Sequence, residues 1–307
     1  MTRLTVNFAG TGAGAPTSER GAPAILVKRG GEAILFDCGE GTQISLRRFG
    51  FGLRGLKSIF ITHMHGDHVL GIPGVIMSLS LNSRLEELHV FGPFGLDRFL
   101  KGVFDSAYFE PGFKVEIHVI EPTDSPIKIF EGKDYAVLSV ASEHTTPSLA
   151  YALVEADRPG RFDTESALRL GVPEGELWKE LQKGHDVVVG DNIVHPAQVL
   201  GQPRPGRRVV YSGDTRPCER VLRMGMKADV FIHEAAMPDD SLEGAIEGGH
   251  STISEAIRVL VKSECRFGII TNFGQKVRFN DLEWIRGFGL IPASDGFSLD
   301  VPLVEHI

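Results

Sequence analysis

The chain has 307 residues, 42% of them apolar, which is enough for a substantial buried core in one large domain or two small ones. A formal net charge of −8 excludes the overall basic character that attracts nucleic acid, so such a partner would need a local basic patch or a metal site. No apolar run approaches the roughly 18 residues of a membrane span. The opening residues, "MTRLTVNFAGTGAG", predict a strand and a glycine turn rather than a signal peptide.

The cysteines are odd in number and widely scattered, at Cys38, Cys218 and Cys265. This distribution favours free thiols over a disulfide framework. We therefore expect a protein of the reducing cytoplasm. Because no long apolar run is present, we also expect no membrane partner.

Ten β-rich runs recur along the chain, and most end at glycine or a turn. In order they are "LTVNFAG", "AILVKR", "EAILFDCG", "SIFITH", "LHVFG", "YAVLSVA", "LAYALVE", "RVVYSGD", "DVFIHEA" and "FGIITN". Helical patterns lie between several of these runs, at residues 95–107, 217–225 and 252–264. The last pattern begins with Thr252 and Glu255, whose spacing predicts a capping box. Strands alternating with helices, together with some hairpins, predict an α/β sandwich.

Residues 157–206 differ in character, because they are polar with proline and glycine at intervals. The first part, "DRPGRFDTESALRLGVPEGELWKELQKGHD", predicts two short helices. The segment is either a surface insertion or an arm that reaches a partner. Composition alone favours the surface insertion.

Three histidines and one aspartate lie within the six residues "HMHGDH", directly after the buried run "SIFIT". His63 and His65 would approach a common point from one side, and Asp67 and His68 from another. Imidazole and carboxylate groups are ligands for Zn²⁺ or another first-row metal. A solvated histidine-rich turn is the alternative, but three histidines at a strand-to-loop junction have few structural uses. The pattern therefore predicts a metal site.

The spacing of these four side chains suggests two neighbouring metals, each completed by ligands from elsewhere. Metal pairs about 3.5–4 Å apart are typical of phosphodiester hydrolysis. Further candidates follow predicted strands or precede a helix, namely His144, Asp214, His233, Glu234 and His250. Taken singly, each is more often a packed or exposed polar residue than a ligand. In a chain that also contains "HMHGDH", their combination suggests that they complete the same metal sites.

The order "THMHGDH", "HTTPS" and "SGDT" resembles the metallo-β-lactamase superfamily. Within it, the chain resembles the ribonuclease Z family of tRNA 3′-processing endonucleases, through "FAGTGAGAPTSERG", "FDCGEGTQ", "HEAA", "GHST" and "IPASDGFSLDVP". The resemblance covers almost the whole chain. It implies a single domain over residues 1–307 with the αββα four-layer sandwich of that superfamily. It also implies a small protruding arm, at approximately residues 155–190, that clamps the tRNA elbow.

The resemblance assigns roles by position. It implies that the first metal is bound by His63, His65 and His144, the second by Asp67 and His68, and both by a bridging Asp214. Asp67 would orient the attacking water or take its proton. His250 would act as general acid at the leaving 3′ oxygen, with Glu234 holding its ring.

The same resemblance implies a metal-dependent hydrolase that removes 3′ trailers from precursor tRNA. One or two Zn²⁺ ions would be its cofactor. The products would be a tRNA 3′-hydroxyl and a trailer that carries a 5′-phosphate. The family also implies a homodimer in which the arm of one subunit serves the site of the other.

The chain departs from the family at the last metal ligand, a histidine in a "THxSxRY"-like stretch. The matching stretch is "IITNFGQKVRF", in which Asn272 holds the histidine position. An amide oxygen is a weak neutral ligand that suits Mg²⁺, Ca²⁺ or Mn²⁺ better than Zn²⁺. Three interpretations remain open: a loosely held second ion such as Mn²⁺ or Mg²⁺, catalysis with one metal, or loss of nuclease activity.

The charges around the arm are a second departure. The sequence "GVPEGEL" carries Glu174 and Glu176 where the family has "GVPPGPL", and acidic groups disfavour contact with phosphate. Basic residues cluster elsewhere, at Arg47, Arg48, Arg54 and Lys57, and at Arg204, Arg207 and Arg208. For both basic clusters a solvated surface and a phosphate contact are equally open.

These observations leave three hypotheses. The first, which we favour, is a ribonuclease Z-like enzyme acting on precursor tRNA, because its motifs outnumber the departures. The second is a hydrolase of the same fold with another phosphodiester substrate. The third is a catalytically weakened paralogue that binds RNA or a protein.

Overall fold

The computed structural model describes residues 2–303, apart from the side chains of residues 279–281. The strands are β1 (Leu4–Gly10), β2 (Ala24–Arg29), β3 (Glu32–Phe36), β4 (Leu56–Phe60), β5 (Leu88–Gly92), β6 (Val115–Val119), β7 (Ile127–Gly132), β8 (Tyr135–Ala141), β9 (Leu149–Glu155), β10 (Val187–Val189), β11 (Asn192–Val194), β12 (Arg208–Tyr211), β13 (Val230–Glu234), β14 (Phe267–Thr271), β15 (Ile291–Pro292) and β16 (Ser298–Asp300). The α-helices are α1 (Thr42–Arg48), α2 (Gly66–Val69), α3 (Ile72–Leu81), α4 (Leu96–Ser106), α5 (Thr164–Arg169), α6 (Glu176–Gln182), α7 (Glu219–Gly225), α8 (Leu242–Gly248) and α9 (Ile253–Ser263). Short 3₁₀ segments lie at Pro196–Gln198, Asp239–Ser241 and Phe279–Phe288.

Two seven-stranded sheets carry the fold, in the orders β16-β1-β2-β3-β4-β5-β6 and β15-β14-β13-β12-β9-β8-β7. In the first sheet β3 to β6 run parallel, and in the second β12 to β15 run parallel. The carboxyl ends of parallel strands meet at one edge of a sheet, where connecting loops can gather side chains. Both sheets therefore present a loop-rich edge after their parallel strands.

The inner faces of the two sheets form one apolar core. Phe36 of the first sheet stacks on Tyr151 of the second, with ring centroids 5.9 Å apart and planes 11° apart. Phe36 also contacts Phe60 and Tyr211 at the same centroid distance of 5.9 Å. Aromatic rings thus join the sheets directly below the loops that follow β4 and β12.

Helices cover both outer faces. The first sheet packs its outer face on α1, α3 and α4, for example through Leu46, Ile76 and Leu100. The second sheet packs on α7 and α9, through residues such as Leu222 and Leu260. The layers are therefore helix, sheet, sheet and helix, and the predicted αββα sandwich is confirmed.

The ten strands expected from the sequence are all present, and the three helical patterns correspond to α4, α7 and α9. The capping box of α9 also forms, because Glu255 Oε2 accepts the Thr252 N–H at 3.0 Å and Thr252 Oγ1 accepts the Glu255 N–H at 3.4 Å. Six further strands were not predicted from the sequence, namely β6, β7, β10, β11, β15 and β16. These strands are polar, partly exposed or only two or three residues long, so they lack the apolar pattern that marks a central strand.

The segment between β9 and β12 has a small core of its own, which includes Ala167, Leu181, Val187 and Val199. It contains α5, α6 and the hairpin β10–β11. Arg158 and Arg204 pair at its base, through main-chain hydrogen bonds of 2.8 and 2.9 Å. Within residues 2–303 no helix is long and apolar enough to cross a bilayer.

Candidate metal centre

The loop after β4 brings two of its histidines to His144, which follows β8. His63 Nε2 lies 3.0 Å from His65 Nδ1, and His144 Nε2 lies 3.2 Å from the same atom. His144 Nδ1 donates to the Gly249 carbonyl oxygen at 2.8 Å, so its Nε2 keeps a free lone pair. A Cβ on Gly249 would lie only 2.9 Å from His144 Nδ1, and its φ of 68° also favours glycine. We call His63, His65 and His144 the first donor group.

A second group of donors gathers beside the first. His68 Nε2 is buried and has no hydrogen-bond partner in the described part of the chain. It lies 3.4 Å from Asp214 Oδ2 and 3.6 Å from Asp67 Oδ2. Asp214 Oδ2 is also 3.8 Å from His63 Nε2, so this carboxylate stands between the two groups. We call His68, Asp67 and Asp214 the second donor group.

These donors fit divalent metal ions. Ligand atoms at about 2.0–2.1 Å from a tetrahedral ion lie roughly 3.3 Å apart. The separations of 3.0 and 3.2 Å in the first donor group match that value. His68 Nε2 is buried, faces two carboxylates and has no hydrogen-bond partner among the described residues. Burial of such a polar atom without a partner costs free energy, which a bound cation would offset.

The pKa shifts agree with this fit. Burial lowers the pKa of His63 well below its ordinary value, and the positive charge of His68 lowers it further. Burial also lowers the pKa of His144. Both rings are therefore neutral, as metal ligands must be. For His68 burial also lowers the pKa, but the carboxylates of Asp214 and Asp37 outweigh it and hold the pKa well above the ordinary value. The second donor group is thus built to surround a positive charge.

Asp37 belongs to the motif "FDCGEGTQ", and the sequence alone did not predict a function for it in the metal centre. Its Oδ2 accepts from His68 Nδ1 at 2.7 Å and from the Tyr211 hydroxyl at 2.8 Å, while its Oδ1 accepts the Thr62 N–H at 2.8 Å. A carboxylate that holds the far nitrogen of a ligating histidine sets both its tautomer and its ring orientation. The sequence feature that could have indicated this role is an aspartate directly after a buried strand, since "HMHGDH" follows the next predicted strand.

His250 and Glu234 form a hydrogen-bonded pair at the rim of the centre. His250 Nδ1 lies 3.1 Å from Glu234 Oε1 and 3.7 Å from Asp214 Oδ2. Glu234 is buried, and it also accepts the backbone N–H groups of Thr215, Ser251 and Ala236. Burial lowers the pKa of His250, but the hydrogen bond and charge of Glu234 outweigh it and raise the pKa to about 9. This imidazole is therefore a proton donor at neutral pH.

Asn272 lies beside the second donor group, directly against Asp214. Its Nδ2 donates to Asp214 Oδ1 at 2.5 Å. Its Oδ1 is buried and has no hydrogen-bond partner among residues 2–303. The Asn272 side chain therefore offers an oxygen donor inside the centre.

Three sequence-based candidates lie elsewhere. His233 Nδ1 bonds to the Glu234 carbonyl oxygen at 2.8 Å, and its ring packs against Phe231, so it faces the helix-covered side of the sheet. Arg207 is buried and bonds to Glu155, which excludes for it both the solvated surface and the phosphate contact that the sequence left open. Arg208 donates its N–H to Asp229, at the amino end of β12 and thus away from the centre. These arginines are close to "SGDT" in the sequence but not in space, because they lie at the amino end of β12 whereas Asp214 follows its carboxyl end.

Comparisons with known proteins agree with the geometry. A family model described as "Anti-Pycsar protein Apyc1" matches residues 4–104, a segment that contains the "HMHGDH" loop but neither His144 nor Asp214. The ribonuclease Z of Methanosarcina acetivorans is 42% identical over 305 residues, covering 97% of this chain and 98% of that protein.

Solved structures give the same result. Human tRNase Z, short form (ELAC1), aligns with a TM-score of 0.72 and 26% identity, covering 97% of this chain and 100% of that one. The metallo-beta-lactamase fold protein YhfI from Bacillus subtilis aligns with a TM-score of 0.67 and 16% identity over 98% of this chain and 100% of its own, which supports the fold alone. The similarity to curated relatives named ribonuclease Z extends over almost the whole chain, and the architecture is the αββα sandwich. The chain therefore belongs to the ribonuclease Z family of the metallo-β-lactamase superfamily.

Proposed function

We propose that this protein is a metal-dependent endoribonuclease that removes 3′ trailers from tRNA precursors. The observation that carries the proposal is the convergence of the two donor groups on Asp214, in a chain similar to ribonuclease Z over almost its entire length. The separation of 3.8 Å between His63 Nε2 and Asp214 Oδ2 brings the groups close enough for a bridging carboxylate.

The first donor group would hold Zn²⁺, because three imidazoles with Asp214 form a typical zinc ligand set. The second donor group has one imidazole and two carboxylates, and the amide of Asn272 lies beside it. Together they form an oxygen-rich set, which favours Mn²⁺ or Mg²⁺. The chemistry that divalent ions supply in such a centre is activation of a water and neutralisation of charge that develops on the phosphate.

Two side chains would handle protons. Asp67 Oδ2 accepts the Gly14 N–H at 2.7 Å, which fixes the carboxylate so that it can orient the attacking water or take its proton. His250 would give its proton to the leaving 3′ oxygen, and Glu234 keeps the ring in place and positively charged. The intact hydrogen bonds of this pair disfavour a catalytically silent paralogue, because a purely structural site has no need of a buried glutamate beside an imidazolium.

Precursor tRNA would be held by groups outside the metal centre. Arg47 and Arg48 are exposed at the last turn of α1, where they are available to phosphates. We also propose that the tRNA-clamping arm, expected at approximately residues 155–190, extends over residues 158–204, because Arg158 and Arg204 pair at its base. The acidic side chains of α6 are partly neutralised, since Glu176 pairs with Lys179 at 2.5 Å and Glu180 with Lys183 at 2.6 Å.

We further propose a homodimer in which the arm meets the partner subunit. Leu168, Val188 and Ile193 of the arm expose 60%, 66% and 58% of their surface, and apolar groups exposed on an arm are typical of contact surfaces. A reducing cytoplasm is our proposed location, because Cys38, Cys218 and Cys265 all carry free thiols.

The experiment is cleavage of a tRNA precursor with a 3′ trailer by metal-stripped protein, with Zn²⁺, Mn²⁺ or Mg²⁺ added back. We expect cleavage after the discriminator base, strongest with Mn²⁺ or Mg²⁺, because Asn272 replaces an imidazole in the second donor group. A bis-aryl phosphodiester is the parallel substrate. If that compound is hydrolysed while the tRNA precursor stays intact, the enzyme acts on another phosphodiester and the proposal is wrong.

A further inference from the structure

A second cluster of metal-ligating side chains lies on β5 and β6, away from the catalytic centre. His89 is the second residue of β5 and pairs in register with Glu116 of β6, while Phe91 pairs with His118. Alternate residues of a strand share a face, so His89, Glu116 and His118 project from the same side of the sheet. The catalytic loops follow the carboxyl ends of the parallel strands, whereas His89 and Glu116 lie near their amino ends.

The three ligand atoms form a compact triangle. His89 Nδ1 lies 3.1 Å from His118 Nε2 and 3.2 Å from Glu116 Oε2, and the remaining edge, His118 Nε2 to Glu116 Oε2, measures 3.8 Å. Ligands of a tetrahedral zinc ion lie roughly 3.3 Å apart. The single Nδ1 of His89 cannot donate well to an imidazole and a carboxylate at once, whereas one cation would satisfy all three atoms.

Neighbouring groups orient these ligands as in known metal sites. His89 Nε2, the nitrogen turned away from the triangle, lies 3.2 Å from Glu87 Oε1. A carboxylate on the far nitrogen is the usual partner of a ligating histidine. The His118 ring stacks on Phe91 with centroids 4.3 Å apart and planes 11° apart, which fixes its plane. Lys114 binds Glu116 through Oε1 and leaves Oε2 in the triangle.

We propose that His89, Glu116 and His118 bind one Zn²⁺ or similar first-row divalent cation, separate from the catalytic ions. Glu87 positions His89, and water fills the open fourth place. The side chains of the three ligands are 21%, 31% and 37% exposed, so an ion can enter from solvent. Because β6 is the edge strand of its sheet, the ion would tie that strand to β5 in addition to main-chain hydrogen bonds.

The test counts Zn²⁺ per chain by equilibrium dialysis of metal-stripped protein, followed by mass spectrometry of the bound metal. We expect His118→Gln to bind one ion fewer than the unaltered protein. The matched control is His185→Gln, because His185 also pairs with a glutamate, Glu180, at 2.7 Å but belongs to no three-residue ligand cluster within residues 2–303. The control should bind the full number. Equal counts for all three proteins at saturating Zn²⁺ overturn the proposal.

Two further variants keep the test decisive. Glu116→Gln should also lose one ion, and it serves if His118→Gln does not fold. Glu87→Gln should keep the ion but weaken its affinity by about 10- to 100-fold, as expected for a residue that only orients a ligand; unchanged affinity contradicts that role. His118→Gln should still cleave precursor tRNA, so failure of this site and failure of the nuclease proposal are distinguishable.

Discussion

Asn272 has a φ of 57°, in the left-handed region, directly after β14. Asparagine tolerates this backbone conformation, and histidine is also enriched there, so the site accepts either side chain without added backbone strain. The position is buried, and its amide contacts Asp214. The replacement therefore changes the ligand chemistry of the second donor group rather than the path of the chain.

Changing Asn272→His should raise the affinity of the second donor group for Zn²⁺ by about tenfold or more, since imidazole is a stronger zinc ligand than an amide. Zn²⁺ titration of metal-stripped protein measures this affinity. Asn272→Ala is the control, because it removes the amide without adding a ligand and should not gain affinity. Unchanged stoichiometry and affinity in Asn272→His would count against a place for Asn272 in this group.

At the scale of elements, a cluster of three charged side chains joins the ends of three strands. Glu155 of β9 accepts from Arg29 of β2 at 2.7 Å, and from Arg207, just before β12, at 2.7 and 2.8 Å. Arg207 also donates to the carbonyl oxygens of Val301 and Thr2. The cluster connects both sheets at the edge opposite the metal centre.

Glu155→Gln should lower the free energy of unfolding at pH 7 by about 3–5 kcal/mol, because it leaves Arg207 buried without a counter-charge. Burial raises the pKa of Glu155, but hydrogen bonds from Arg207 and Arg29 outweigh it and leave the pKa below its ordinary value of 4.5. The ion pair therefore stabilises the fold above pH 4.5 and loses this contribution as the pH falls below it.

Urea unfolding at pH 7 and at successively lower pH measures the difference between the two proteins, which should shrink as the solution becomes more acidic. Glu131→Gln is the matched control, because Glu131 pairs with Lys128 on the exposed surface at 2.6 Å. That variant should unfold almost like the unaltered protein. A difference for Glu155→Gln that stays constant with pH would contradict the assigned role of its charge.

Elements with a strong local pattern were predictable. The α9 helix has its capping box and a continuous apolar face, and the central strands β13 and β14 are rich in Val, Ile and Phe. The hairpin β10–β11 was not predictable, because each strand has three residues and forms only by packing on the small core of the arm. Short strands depend on tertiary contacts for stability.

At the scale of the whole molecule, the proposed arm packs around a core of its own. The Gly201 N–H donates to the Arg161 carbonyl oxygen at 2.9 Å, so the chain could be closed there by a tight turn. The small core of the arm is distinct from the three clusters that pack the two sheets and their helices. Removal of residues 162–200 should therefore leave the sandwich folded.

A variant in which an Asn-Gly turn replaces residues 162–200 should retain hydrolysis of a bis-aryl phosphodiester. Its kcat/KM for precursor tRNA should fall by about tenfold or more, equivalent to ~1.4 kcal/mol of lost binding in the transition state. Steady-state kinetics with both substrates measure the two effects, and sedimentation equilibrium of both proteins tests the proposed dimer and its dependence on the arm. Full activity on tRNA would exclude a role for the arm in substrate binding.

The sequence by itself determined the fold class and the family and supplied the candidate site residues, because "HMHGDH", "HTTPS" and "SGDT" are local patterns that can be read without knowledge of distant contacts. Only the tertiary structure decided the partners of these residues. It placed Asp37 on His68, put Asn272 against Asp214, committed Arg207 to Glu155 and brought His89 to His118. Each of these contacts joins different strands or loops, and the register of sheets and the packing of their faces set such distances, which no single stretch of sequence encodes.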